Sequence, residues 1–123
     1  MILLDTNAVI WLLAGHPRAA PLLVGRQPLA LSPVSLLELQ FLEEVGRIQL
    51  APDTTIAALI DDPRWRHDNP STRALFEAAL PISWTRDPFD RLIIAHARLR
   101  GWSLATGDRR LIARLGPGAT LPV

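Results

Sequence analysis

A chain of 123 residues that is 49% hydrophobic can bury one substantial core but is short for two, so residues 1–123 read as a single domain. It has no cysteine, which excludes disulfide scaffolds and thiolate metal sites, and all thirteen basic residues are arginine, which excludes every reaction that needs a lysine amine, the P-loop phosphate clamp included. The formal charge of +1 hides an asymmetry: with four of the twelve acids gathered on a metal, thirteen arginines would face only eight acids, a balance that suits a polyanionic partner, although solvated surface arginines are the plainer account.

The chain opens "MILLDTNAVIWLLAG". Ile2 to Leu4 predict a short buried strand ending at Asp5, and an apolar helix should follow through about Leu13. The run has no basic leader, carries an acid in its middle and is too short to span a bilayer, so a cytosolic protein with no membrane partner is expected. Pro17 to Pro28 predicts a crossover leading to a second strand at Leu29–Ser32, and a helix should run from Pro33 to Val45 with Gly46 as its stop. Further helices are expected over 53–60, 71–80, 88–100 and 109–115, with strands at 64–67 and 102–106; the stretch "DDPRWRHDNPSTR" is less regular than a third strand should be, which leaves the topology there open. Short buried strands alternating with helices indicate an α/β protein, a three-layer α/β/α sandwich around a mostly parallel sheet.

Two acids sit where apolar residues belong. On a helical wheel Val34, Ser35, Phe41, Leu42 and Val45 lie within about 60° of Glu38, while Gln40, Glu43 and Glu44 fall opposite. An unpaired carboxylate on that stripe would have to be neutral, paired with arginine or bound to a cation. In "RDPFDRLIIAHA" the same construction places Ile93, Ile94 and Ala97 around Asp90. Asp87, before Pro88, is the natural N-cap of this helix, and Asp90 could complete a capping arrangement, which is the plain structural account of the pair.

Asp5 and Asp108 each follow a predicted strand and could merely cap the next helix. Together, however, Asp5, Asp90 and Asp108 map to the edge of a parallel sheet where binding crevices form, and Glu38, just over one turn into its helix, can reach it. Four carboxylates in one pocket repel unless a cation neutralises them, and an all-oxygen donor set points to Mg²⁺ or Mn²⁺. Such a site suits phosphodiester cleavage, with the acids as ligands and water as the nucleophile.

Taken in order, "LLDTNAVIWLL", Glu38 in "SPVSLLELQFLEEVGRIQL", "RDPFDRLIIAHA" and "LATGDRRL" resemble the PIN-domain ribonucleases, especially VapC-type toxins of bacterial toxin–antitoxin pairs, over nearly the whole chain. The resemblance implies a metal-dependent endoribonuclease acting on RNA, a homodimer, and a small antitoxin protein that blocks the site. It assigns Asp5, Glu38, Asp90 and Asp108 to the catalytic metal positions. Thr6 and Asn7 flank the first acid as candidates to orient it or a bound water, and Thr106 lies two residues before the fourth. Members with the Asp-Pro-Phe-Asp signature often carry His where Asn7 stands and Gln where His96 stands; neither departure touches a carboxylate.

Arg86 and Arg91 flank the Asp87/Asp90 pair and are candidates to contact RNA phosphate, although surface ion pairs account for such arginines equally. His16, His67 and His96 do not converge and read as structural or surface residues, and the four tryptophans as core or interface. Rival phosphotransfer domains fit poorly: a receiver needs lysine, and a haloacid-dehalogenase-type phosphatase needs a second acid where Asn7 stands. The remaining alternative is a degenerate or solitary RNA-binding or RNA-processing domain of the same fold.

Overall fold

The computed structural model describes all 123 residues. Its elements run β1 (Ile2–Leu4), α1 (Thr6–Ala14), a 3-10 turn (Pro17–Ala19), α2 (Ala20–Val24), β2 (Leu29–Leu31), α3 (Pro33–Glu44), α4 (Ile56–Leu59), β3 (Trp65–His67), α5 (Thr72–Ala79), α6 (Pro88–Arg100), β4 (Ser103–Thr106), α7 (Arg109–Leu115) and β5 (Thr120–Pro122). The five strands form one sheet in the order β3-β2-β1-β4-β5, every neighbouring pair parallel.

β1 is central and buried at all three positions, as expected of a parallel strand covered on both faces. Successive side chains point to opposite faces, so Ile2 and Leu4 join Val9, Leu12, Leu29, Leu31 and Leu39 in one core, while Leu3 joins Ala30, Ile93, Ile94 and Leu104 in the other. Burying a side chain such as Leu3 or Leu104 contributes about 1.5–3 kcal/mol, so three-residue strands hold through packing rather than ladder length. α3 supplies Leu39 to the first core and Val34 to the second.

Helix ends follow the residues that punctuate them. Asp5, Ser32, Asp87 and Asp108 cap α1, α3, α6 and α7 through side-chain oxygens that accept backbone N–H groups. Gly15 and Gly101, at φ 65° and 68°, close α1 and α6 in the left-handed conformation that a side chain resists.

The structure departs from the sequence expectation in two places. Strand β5 was not expected; it is a proline-containing edge strand whose only partner is β4, and neither feature leaves a period in the sequence. α4 begins at Ile56, capped by Thr55, because Asp53 takes a turn conformation with φ 63°. The strand expected at 64–67 is present as β3, and it settles the open topology of the 61–73 stretch by lying at the other edge of the sheet with only Trp65 turned inward. No helix is long and apolar enough to cross a membrane.

Candidate functional site

The parallel arrangement brings the ends of β1 and β4 and the starts of α1, α6 and α7 to one edge. Asp5 leaves β1 there with its backbone N–H still bonded to Ala105 O at 3.0 Å, so the strand pairing itself fixes its depth. Its Oδ1 accepts Ala8 N–H at 2.7 Å, and the Thr106 hydroxyl bonds the same carboxylate. Burial pushes the Asp5 carboxyl up; those two hydrogen bonds and Arg18 oppose it, while the Asp108 charge adds to it.

Glu38 is half-buried, and its Oε1 accepts a hydrogen bond from the Thr6 hydroxyl. Thr6 Oγ1 also lies 3.1 Å from Ser35 Oγ, so buried hydroxyls from α1 and α3 set the position of this carboxylate. Burial raises its pKa, the Thr6 bond lowers it, and the charges of Asp87 and Asp5 raise it again. The helical wheel holds for the first two turns of α3, where Val34, Ser35 and Leu39 are buried. Beyond Glu38 it fails: Phe41 and Val45 are 46% and 52% exposed.

Asp90, half-buried among Ile93, Ile94 and Ala97, has its carboxyl pushed up to about 7, first by burial and then by the charges of Asp87, Glu38, Asp108 and Asp5. One carboxylate oxygen from each of Glu38, Asp87 and Asp90 lies within 4.8 Å of the others. Asp5 and Asp108 stand outside that group, yet both belong to the field that holds Asp90 protonated.

Asp87, read from the sequence as a helix cap alone, stands beside two of the candidate acids. It is an N-cap, as expected, with Oδ1 accepting Phe89 N–H at 2.8 Å and Asp90 N–H at 3.2 Å. The cap, however, also aims its carboxylate at Glu38 and Asp90, and its charge is the largest electrostatic contribution to the raised pKa of each. A signal was present: a residue three positions before Asp90 lies about 60° from it on the wheel.

Asp108 caps α7, its Oδ1 accepting Arg110 N–H at 2.8 Å and Leu111 N–H at 3.4 Å. Thr106, fully buried, accepts the Asp108 amide at 3.1 Å and also bonds Asp5, so one hydroxyl ties the acids of β1 and β4 together. Asn7 is exposed on the first turn of α1 and makes no side-chain hydrogen bond. The two arginines differ: Arg86 is exposed without an intramolecular partner, whereas the Arg91 guanidinium donates to Ala79 O at 3.2 and 3.3 Å and to Leu80 O at 2.8 Å. Arg91 therefore caps the carboxyl end of α5 through Nε and Nη2.

His96 lies away from the pocket, as expected, fully buried between Ser32 Oγ at 2.8 Å and Asp68 Oδ2 at 2.7 Å. Burial works against ionised Asp68, but hydrogen bonds from Arg100 and His96 outweigh it, so its carboxyl lies below the ordinary value. A carboxylate only accepts; His96 Nε2 therefore carries the proton, and Nδ1 accepts from Ser32, whose own oxygen takes Val34 N–H. Burial, opposed by Asp68, pushes the His96 pKa down.

Residues 2–116 match the PIN domain family model. Ribonuclease VapC22 of Mycobacterium tuberculosis is 37% identical over 122 residues, covering 94% of this chain and 93% of that protein. A toxin-antitoxin complex from Klebsiella pneumoniae contains a chain with a TM-score of 0.67 and 22% identity, covering 98% of this chain and 96% of that one. The VapBC2 complex from Rickettsia felis, bound to a DNA fragment from its promoter, contains one with a TM-score of 0.69 and 21% identity, covering 100% and 99%. At these identities the solved structures speak to the fold.

Proposed function

The chain belongs to the PIN domain family, and from that membership we propose that it is a divalent-metal-dependent endoribonuclease, the toxin of a toxin–antitoxin pair. The observation that carries the proposal is the approach of Glu38, Asp87 and Asp90 to within 4.8 Å, with Asp90 held protonated up to about pH 7 unless positive charge enters. The donors are all carboxylate oxygens, which fits a hard cation, and we assign Mg²⁺ or Mn²⁺.

We assign Asp5, Glu38, Asp90 and Asp108 as the acids that hold the metal, and add Asp87. When bound, the metal would lower the pKa of a water and stabilise charge on the leaving oxygen. The protein's own groups prepare for this: Thr6 fixes Glu38, Thr106 fixes Asp5 and the Asp108 amide, and the start of α6 delivers Asp87 and Asp90 together. Asn7, exposed beside the first acid, is placed to meet a water or a phosphate oxygen. We keep Arg86 and Arg91 as the pair for RNA contact.

RNA as substrate and a small antitoxin as partner follow from kinship with Ribonuclease VapC22, and a cytoplasmic homodimer built from one nuclease domain over residues 1–123 completes the reading. The degenerate alternative is disfavoured because all four acids are present.

The test is cleavage of a labelled RNA with Mg²⁺ or Mn²⁺, with EDTA, and by the Glu38→Gln variant beside Glu43→Gln. EDTA and Glu38→Gln should each abolish cleavage, and Glu43→Gln should leave it intact. Undiminished cleavage after rigorous chelation would overturn the metal mechanism.

A further inference from the structure

The turn between β4 and α7 is pinned from outside by two residues that none of the roles above uses. Arg18, on the 3-10 turn after α1, lays its guanidinium over Trp11, with Cζ 4.0 Å from the ring centroid. Its Nη2 donates to Val123 O at 2.9 Å and lies 3.5 Å from Gly107 O. The backbone under it is held as well, since Arg18 N–H donates to His16 Nδ1 at 3.1 Å.

Gly107 is the point on which this stack presses. A Cβ there would lie 2.5 Å from Arg18 Nη2 and 2.6 and 2.9 Å from Trp11 Cη2 and Cζ3. Its φ is not in the left-handed region, so what a side chain there would disturb is the Arg18–Trp11 stack rather than the backbone. Gly107 separates Thr106, whose hydroxyl bonds Asp5 and the Asp108 amide, from Asp108 itself.

We propose that Arg18, seated on Trp11, is a positioning residue for the acidic pocket: the stack fixes the Gly107 turn and thereby the depth at which Asp108 stands relative to Asp5. The proposal rests on the metal-binding reading above.

Arg18 also carries a positive charge that acts on Asp5, and this gives a decisive sign. If charge were its only effect, its removal would relieve repulsion of a cation and tighten metal binding. A positioning role predicts the opposite: Arg18 reaches Asp108 only through the Gly107 turn, and releasing that turn should weaken affinity by about tenfold, the lower end of what loss of a ligand's direct outer partner costs. Lysine in its place keeps the charge but not the planar stack.

Titration of Mn²⁺ into the parent, Arg18→Gln, Arg18→Lys and Trp11→Leu, beside amide hydrogen exchange of the metal-free proteins, tests this. Both Arg18 variants should bind Mn²⁺ about tenfold more weakly, and the Asp108 and Arg110 amides should exchange faster while those of β1 stay protected. Trp11→Leu should reproduce the pattern. Arg18→Gln binding Mn²⁺ as tightly as the parent, or unchanged exchange at Asp108, would overturn the proposal. A parent that binds no Mn²⁺ would instead refute the metal reading, and exchange at Asp108 would then decide the clamp alone.

Discussion

Asp90 links the pocket to pH. Its carboxyl ordinarily titrates at 3.8 and here is raised to about 7, so the folded protein holds a proton that the unfolded chain has released. The stability this contributes is complete below pH 3.8 and is lost as pH rises towards 7. Metal and proton compete for the same oxygen, so Mg²⁺ affinity should climb with pH and level off above about 7. Asp90→Asn should melt higher than the parent at pH 8 without metal, by on the order of 1–2 kcal/mol after allowing for solvent screening, and should gain less from Mg²⁺. Thermal melts with and without Mg²⁺ measure both effects. Asp87 can be separated into its two jobs in the same way. Asp87→Asn keeps the cap but removes the charge, so it should raise metal-free stability and weaken Mg²⁺ binding, whereas Asp87→Ala should also lose about 1 kcal/mol of capping. Mg²⁺ affinity and cleavage unchanged in Asp87→Asn would return Asp87 to capping alone.

The elements that place the acids were legible to different depths. β1, α3, α6 and β4 announced themselves through buried apolar runs, and Asp87-Pro88 marked the start of α6 to the residue. What the pattern could not carry was information held by tertiary neighbours. The wheel put Phe41 and Val45 with Glu38, but a wheel has no knowledge of which flank of a helix its tertiary neighbours cover. The partners of Arg91, the last carbonyls of α5, lie on another helix and leave no mark in the local sequence. The same limit hid the role of His96, which joins α6 to the cap of α3 and to Asp68 beyond β3. His96→Ala should cost about 3 kcal/mol, since it opens a cavity and strips a partner from buried Ser32 and from part-buried Asp68. Its pH signature opposes that of Asp90: the depressed His96 pKa means stability is complete above pH 6.5 and falls as pH drops below it. Asp90 acts in both proteins, so the test is the gap between the parent and His96→Ala melts across pH 5 to 8, which should narrow as pH falls; parallel profiles would place the titration elsewhere.

At the scale of the molecule, acids gathered in a pocket leave the arginines to dominate the exterior, and the substrate assigned here is a polyanion. Cleavage at subsaturating RNA should therefore slow steeply as salt rises from about 50 to 200 mM, with the effect in KM rather than kcat. A salt-independent KM would mean that the arginines do not meet the substrate. The strand order has a consequence of a different kind. β1 lies at the centre of the sheet, and one of its two neighbours, β4, begins only at Ser103. Because synthesis runs from the amino end, Asp5 is made well before Asp108. A pocket that needs both acids cannot form during that interval, and closing it waits on the pairing of β1 with β4, the kind of long-range contact that topology makes slow.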